Sequence, residues 1–594
     1  MEEEKKKKVK LSNVFYYLKK TYQYAKQDKK YLFFFLIGSI LLSVINVVAP
    51  LLSARQILYL TNEFWTQLFA VTLLIFGTEI FRNVCIHINN YFINKYFYSV
   101  KKNIQLDVSS KILQIQTGVL QANSSGTFIE RAGNDTDTLS DIFIQGIDYL
   151  TYLISVIGVL FSILFLNTAI FFLYLLFVVL LFFAQKLAAK KIQEKNKIRK
   201  KKRDIASGFI SELVRGAKDI KLLNAEKSFL NKTDQVIQEL GEANYSWART
   251  RSWFRFLNGD LRDLLDLGIL LLGIYFITHK ELEVATMLII LSYRGHIISI
   301  SSNLEHFYDI IKQFELAAER IFEILEGEKY PKEVFGNKHI SKIEGNIAFK
   351  NVFFGYEEDD MVLKNISFQI HPNETVSFVG KSGSGKSTIF NLISALYKPN
   401  AGEITFDGIP LNQLDKTSIR KNMSVISQNP YIFNMSIREN LTIIKEDLTE
   451  EEMIDACKMA CLHDFIMTLK DGYDTIVGEG GVTLSGGQRQ RLAIARALIL
   501  KTEIILFDEA TSALDNETQY EIQKSIQNMQ GEYTILIIAH RLSTVINSDR
   551  LILIDNGSVA GEGTHQELLK NNPIYQKLYE LELKDDEKKG LLNN

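Results

Sequence analysis

The sequence predicts a chain of two halves: an α-helical membrane domain of six transmembrane helices with long cytoplasmic extensions, then an α/β domain built around a phosphate loop. Three observations carry this. Between positions 31 and 303 lie six mostly apolar stretches, each about the 20 residues needed to cross ~30 Å of hydrocarbon. Of seven prolines only Pro50 falls before residue 331, so helices in that half can run long. From about Ile340, glycines, turns and alternating β-rich runs take over, with helical stretches between them.

Composition narrows the class. Of 594 residues, 47% are hydrophobic and 23% charged, which excludes disorder as a whole-chain description. A net charge of −1 gives no support to nucleic-acid binding. Three cysteines exclude a disulfide scaffold and a four-cysteine zinc site.

Residues 1–30 hold ten lysines, and Leu11, Val14, Phe15, Leu18 and Tyr22 share one helical face. That pattern predicts a short helix lying in the inner membrane interface. Span one, Tyr31–Leu52, has no charge in 22 residues. It is too long for a cleaved signal peptide and starts too late. Thr66–Ile88, Gln145–Asn167, Thr168–Gln185, Asp260–Thr278 and Val284–Asn303 follow, the last two carrying charge. The basic runs at Lys5–Lys8 and from Lys186 to Arg203 place the N-terminus and the segment after span four inside.

Two connections stay inside, of 56 residues between spans two and three and 74 between spans four and five. They are charged yet keep helical periodicity, as in Ile205, Phe209, Leu213 and Ile220. They are expected to be membrane helices that continue into the cytoplasm and turn there. The membrane domain is placed at 31–325, a linker at 326–341 and the α/β domain at 342–594.

Val376–Val379 reads as a short buried strand. It runs into Gly380-Lys-Ser-Gly-Ser-Gly-Lys-Ser-Thr388 and then a helix. This is a phosphate loop in strand–loop–helix context. Its glycines let several N–H groups face one phosphate, and the helix N-terminus adds its positive dipole end. Gly380, Ser382, Gly383, Ser384, Gly385, Lys386, Ser387 and Thr388 are therefore the candidate ATP ligands, with Lys386 on the β- and γ-phosphates and Ser387 on Mg²⁺. Ile504–Phe507 is a second apolar strand, ending in Asp508 and Glu509. Asp508 is expected to hold Mg²⁺ through water, and Glu509 to orient or deprotonate the attacking water.

Leu484-Ser-Gly-Gly-Gln488 ends 20 positions before Asp508. It resembles the signature of ATP-binding-cassette (ABC) transporters, and the other cassette elements follow in order. Tyr356 matches the aromatic that stacks on adenine. Gln428 matches the glutamine that senses Mg²⁺ and the lytic water. Ser512–Asp515 matches the loop that addresses the opposite subunit, and His540 the γ-phosphate sensor. Six spans followed by one cassette is the layout of an exporter-type half-transporter. One departure is Gly480, which stands where the family commonly has arginine.

The resemblance implies that two cassettes stack head to tail. Each ATP is held between one phosphate loop and Ser485, Gly486, Gly487 and Gln488 of the other chain. A homodimer is the simplest partner, a heterodimer with a sister chain the alternative. Segments 124–135 and 219–228 are the expected coupling turns. The function implied is an ATP-driven exporter or flippase moving an amphipathic substrate, a lipid, drug or peptide, out of the cytoplasm or between leaflets, with the cassette in the cytoplasm. The Lys/Asn/Ile-rich usage and the absence of targeting features point to a bacterial inner or plasma membrane. A membrane-anchored cassette ATPase with a non-transport role is the alternative, but six spans exceed what an anchor needs. No leader-peptidase domain is expected, because no cysteine precedes Cys85.

Charges inside spans are expensive and mark functional candidates. Glu79, Arg82, Asp266, Arg294 and His296 fall at similar depth by helical rise. They are expected to face inward as a polar substrate cavity in which Asp266 pairs with Arg294.

Overall fold

The computed structural model describes residues 11–357, 360–478, 481–508, 516–538 and 545–581. They form two compact units. One draws on the chain up to Leu113 and on Ser125–Lys329, the other on Gln114–Ser124 and the chain from Tyr330 onward.

The first unit is helical. It contains α1 (Leu11–Ala25), α2 (Lys29–Thr61) and α3 (Trp65–Ile112). The six-residue α4 (Thr117–Ala122) belongs to the other unit. Then come α5 (Ser125–Glu130), a π-turn at Arg131–Asp135, α6 (Thr136–Leu166), α7 (Thr168–Arg215), α8 (Ala217–Leu222), α9 (Glu226–Thr278) and α10 (Val284–Glu326). Among the described residues, four stretches are long and apolar enough to cross a membrane: Ser12–Thr61, Trp65–Ile112, Ser125–Leu166 and Thr168–Arg215. The fifth and sixth predicted spans are the end of α9 and the start of α10, where the apolar run shortens to Val284–Gly295. Asp260, Arg262, Asp263 and Asp266 interrupt the apolar surface of α9.

α3 and α7 each run for 48 residues and α9 for 53, which at ~1.5 Å per residue is more than twice the hydrocarbon thickness. The expectation that these helices run on beyond the membrane-spanning length is met. Asn167 alone separates α6 from α7, and its side chain caps α7 by accepting from the Ile170 N–H at 3.0 Å.

Packing follows four-residue spacing. Tyr96, Val100, Ile104 and Val108 of α3 are buried against Leu139 and Ile142 of α6 and Phe314, Ala318 and Ile321 of α10. A second cluster joins Val159 and Ile163 to Tyr174, Leu265, Ile269, Ile290 and Tyr293. Outward side chains are large and apolar, as at Phe76 (65% exposed) and Phe165 (84%), a surface suited to lipid. On α1 the buried residues are Val14, Thr21 and Ala25, while Phe15 and Tyr22 of the predicted apolar face are exposed. Tyr17 stacks on Phe322 of α10 at 5.8 Å, so tertiary contact rotates the helix relative to the apolar face read from sequence.

Of the first expected turn, 124–135, Ser124 ends the segment Gln114–Ser124 that belongs to the other unit, and residues 125–135 continue the helical unit as α5 and the π-turn. The second expected turn, 219–228, does cover the α8–α9 connection.

The second unit is α/β. Its main sheet, among the described residues, has the order β12 (Ser558–Gly563), β11 (Arg550–Asp555), β3 (Thr375–Val379), β10 (Thr534–Ile538), β9 (Ile504–Asp508), β6 (Met423–Ile426). All neighbours are parallel except β11–β12. A smaller antiparallel sheet has the order β2 (Asp360–Ile370), β1 (Ile347–Glu357), β4 (Ala401–Phe406), β5 (Ile409–Pro410). A short pair joins β7 (Met435–Ser436) and β8 (Ile476–Val477). Parallel strands covered on both faces are near-continuously apolar. In β9, Ile504 and Leu506 enter the core shared with β1 and β2, while Ile505 and Phe507 enter the core shared with the helices of residues 437–500.

Candidate nucleotide site

The site begins at β3, buried along all five residues and flanked by parallel strands on both sides. The chain leaves it through Gly380–Gly385 and enters α11 (Lys386–Ile393). Two of these glycines are required by space and backbone. Gly380 has φ +150°, and an added Cβ would lie 2.1 Å from the Ile554 carbonyl. Gly385 has φ +104°, and its Cβ would meet Leu363 at 2.5 Å. Lys386 is buried, and its Nζ donates to the Gly380 and Lys381 carbonyls at 2.9 and 2.8 Å, spanning the loop. Ser384 is also buried, and its Oγ has no protein partner. Ser382 and Gly383 are exposed on the loop.

Ser387 follows in the first turn of α11. Its Oγ donates to Asp508 Oδ1 at 3.5 Å, so the ends of β3 and β9 bring the two metal candidates together. Thr388 shares a hydrogen bond with the Tyr356 hydroxyl at 3.2 Å, and Asn391 Nδ2 donates to the same oxygen at 3.2 Å. The Tyr356 ring is half exposed at the end of β1, beside the phosphate-loop helix.

Ser485 caps the helix Gly486–Leu500 through a capping box. Its Oγ accepts from the Gln488 N–H, and Gln488 Oε1 accepts from the Ser485 N–H at 2.8 Å. Thus Ser485 and Gln488 fix the helix entrance, with Gly486 and Gly487 in its first turn. Gln490 of the same helix donates to the Gln428 carbonyl at 3.3 Å, tying the signature helix to the loop after β6. Glu509, His540, Ser512–Asp515 and Gly480 lie outside the described residues.

Sequence reading missed Tyr397. Its ring meets Tyr356 edge-on at 5.2 Å, and its hydroxyl donates to Gln121 of α4 at 3.3 Å. An added Cβ at Gly118 would touch the same ring at 3.0 Å. Only its aromatic character, shared with Tyr356, could have marked it.

The three cysteines are free thiols. Burial pushes the Cys457 thiol up to about 11, consistent with a structural role.

In the helical unit Arg82 pairs with Glu79 at 2.8 Å and Arg294 with Asp266 at 2.7 Å. The side chain of His296 lies outside the described residues. Polar cavities described in that unit are lined by other residues, among them Ser39, Asn89, Asp148 and Tyr152.

Comparison with known proteins agrees with both units. The family model described as ABC transporter transmembrane region matches residues 32–301, and the ABC transporter model matches 363–512. The alpha-hemolysin translocation ATP-binding protein HlyB of Escherichia coli O157:H7 is 36% identical over 402 residues, 64% of this chain and 57% of that protein. An ATP-dependent lipid A-core flippase of Saccharophagus degradans is 43% identical over 270 residues, 46% of each chain. The chain thus spans about half the length of the curated relatives it matches. A solved bacterial Atm1-family ABC exporter with ATP bound has the same fold, with TM-score 0.76, 23% identity, and 92% of this chain and 96% of that one covered.

Proposed function

Because the chain belongs to the ABC transporter family, as an integral membrane protein with a nucleotide-binding domain fused to its transmembrane region, we propose that it is an ATP-driven exporter or flippase of an amphipathic substrate. The observation that carries this is the fusion itself: a phosphate cradle at 380–386 in one polypeptide with apolar helices long enough to span a bilayer. An anchor would need one or two such helices.

The cradle fits ATP. Its glycines leave room for phosphate, Ser384 Oγ is a buried hydroxyl awaiting a partner, and Lys386 supplies a cation already at the loop. Tyr356 presents a half-exposed ring for adenine. Ser387 and Asp508, with Gln428, are the residues that would hold Mg²⁺, which when bound neutralises charge on the β- and γ-phosphates. Glu509 takes the proton of the attacking water, and His540 contacts the γ-phosphate.

A second chain completes each site through Ser485–Gln488, and a homodimer is the simplest assembly. Leu222 and Leu223 at the α8 tip are 73% and 76% exposed, as suits a surface that docks on another chain. The cassette lies on the cytoplasmic side of a bacterial inner or plasma membrane, following the lysine-rich run after span four. The test is ATP-dependent transfer of labelled amphiphiles in proteoliposomes with outward-facing cassettes. ATP hydrolysis without movement of any amphiphile, lipid, drug or peptide would exclude the exporter reading.

A further inference from the structure

We infer that the substrate is an amphipathic organic cation, selected by Asp148 at the junction of two cavities in the helical unit. This rests on the exporter reading and adds the charge of what is carried.

The first cavity, of about 340 Å³, lies between α2, α3 and α6. Its lining is polar for a membrane bundle: Ser39, Ser43, Asn46, Asn89 and Thr151 stand beside Asp148. Asn89 is 5% exposed, donates to Ser39 Oγ at 3.1 Å, and its Oδ1 accepts no hydrogen bond. Pro50 has no N–H to give the Asn46 carbonyl, so α2 adds an acceptor at the same level. A second cavity, of about 140 Å³, lies between α6 and α10 and is lined by Asp148, Tyr149, Tyr152, His306 and Phe307. Tyr149 and Phe307 stack at 3.9 Å, planes 4° apart.

Asp148 lines both cavities. It lies one turn inside the predicted third span, and no described basic residue forms an ion pair with it. The other acids on the same helix are engaged: Asp137 with Lys101 at 2.5 Å, Asp141 with Gln145 at 2.7 Å. His306 is the basic side chain described in these linings. The Asp148 carboxylate is exposed where the two cavities meet, so a positively charged ligand can supply the counter-charge that the described protein does not. Aromatic faces on one side suit an organic cation, and hydroxyls and amides on the other suit its polar groups.

The test uses the full chain in nanodiscs, with hydrolysis stimulated by rhodamine 6G, a cation, or by fluorescein, an anion, each read against that variant's own unstimulated rate. Rhodamine 6G should stimulate and fluorescein should not. Asp148→Asn should raise the half-maximal rhodamine 6G concentration at least roughly tenfold, the low end for a close charge pair. Asp148→Glu should restore it, which a packing role for the aspartate would not allow. Equal response of the parent to both dyes, or an unshifted curve in Asp148→Asn, overturns the assignment. Stimulation by fluorescein or anionic lipid alone overturns the charge while leaving export standing. Failure of every amphiphile to stimulate or be carried removes the export reading and this inference together.

Discussion

Tyr397 meets Tyr356 edge-on, with ring centroids 5.2 Å apart and planes at 89°, while its hydroxyl reaches Gln121 of α4. One side chain therefore touches both the candidate adenine platform and the segment inserted from between α3 and α5. Tyr356 in turn shares a hydrogen bond with Thr388 in the phosphate-loop helix. Nucleotide binding that moves Tyr356 has a direct packed route to α4.

Tyr397→Ala should accordingly lose most substrate stimulation of hydrolysis. ATP affinity should weaken by less than about tenfold, since an aromatic pair contributes roughly 0.5–1.5 kcal/mol. Tyr397→Phe keeps the ring and loses only the Gln121 bond, so it should fall between. Full stimulation in the alanine variant would show that this contact transmits nothing.

Glu509→Gln should retain ATP and trap a cassette dimer. Turnover should fall by about 10²–10⁴-fold, the usual contribution of a positioned base. Lys386→Ala should instead weaken nucleotide binding itself, because it removes the loop's cation. The pair is informative together: tight ATP binding by the lysine variant, or hydrolysis above roughly a tenth of the parent rate by the glutamine variant, contradicts the respective role.

The cassette's acid stability depends on Glu374 and Arg550. Burial opposes ionisation of Glu374, but two hydrogen bonds from Arg550, at 2.7 and 3.0 Å, the Arg550 charge and the His371 N–H, which donates at 2.9 Å, together outweigh it and hold the carboxyl below its ordinary value. A carboxylate lowered on folding contributes stability that is present above its unfolded value and is lost as pH falls through the folded one. Arg550→Ala should therefore cost about 1.5–3 kcal/mol at neutral pH and less in acid. Amide exchange of β3 and β11 in the full chain, compared at neutral and acidic pH, reads this directly. An equal loss at both would assign the effect to packing.

The nucleotide loop was legible because its chemistry is local. Glycine, lysine and serine must follow one strand at fixed spacing, and β3 and α11 supply that context. The long helices were legible for a similar reason, since a proline-poor apolar run that changes to an amphipathic one has no reason to break. What escaped reading depends on distant partners. Tyr397 matters through Gln121, 276 positions away. The cavity at Asp148 assembles isolated polar residues from α2, α3, α6 and α10, none conspicuous in its own helix. The α1 face shifted because Tyr17 found Phe322.

Charge within the membrane helices has two distinct uses. Depth along the helices groups Asp266 and Arg294, and the structure joins them: Arg294 Nη1 donates to Asp266 Oδ2 at 2.7 Å. Neither residue lines the cavities at Asp148. Asp266 is followed by Ile269 of the buried cluster, and Tyr293 of that cluster precedes Arg294. The pair thus stands where α9 and α10 pack together, and its expected role is to hold those helices. Removing one partner leaves the other as an uncompensated charge within the bilayer, which costs several kcal/mol. Arg294→Ala should lower the yield of folded protein, and Asp266→Ala in the same chain should recover it. Rhodamine 6G stimulation in the double variant should match the parent. A singly substituted protein that folds normally but has lost stimulation would move the pair from support to substrate contact.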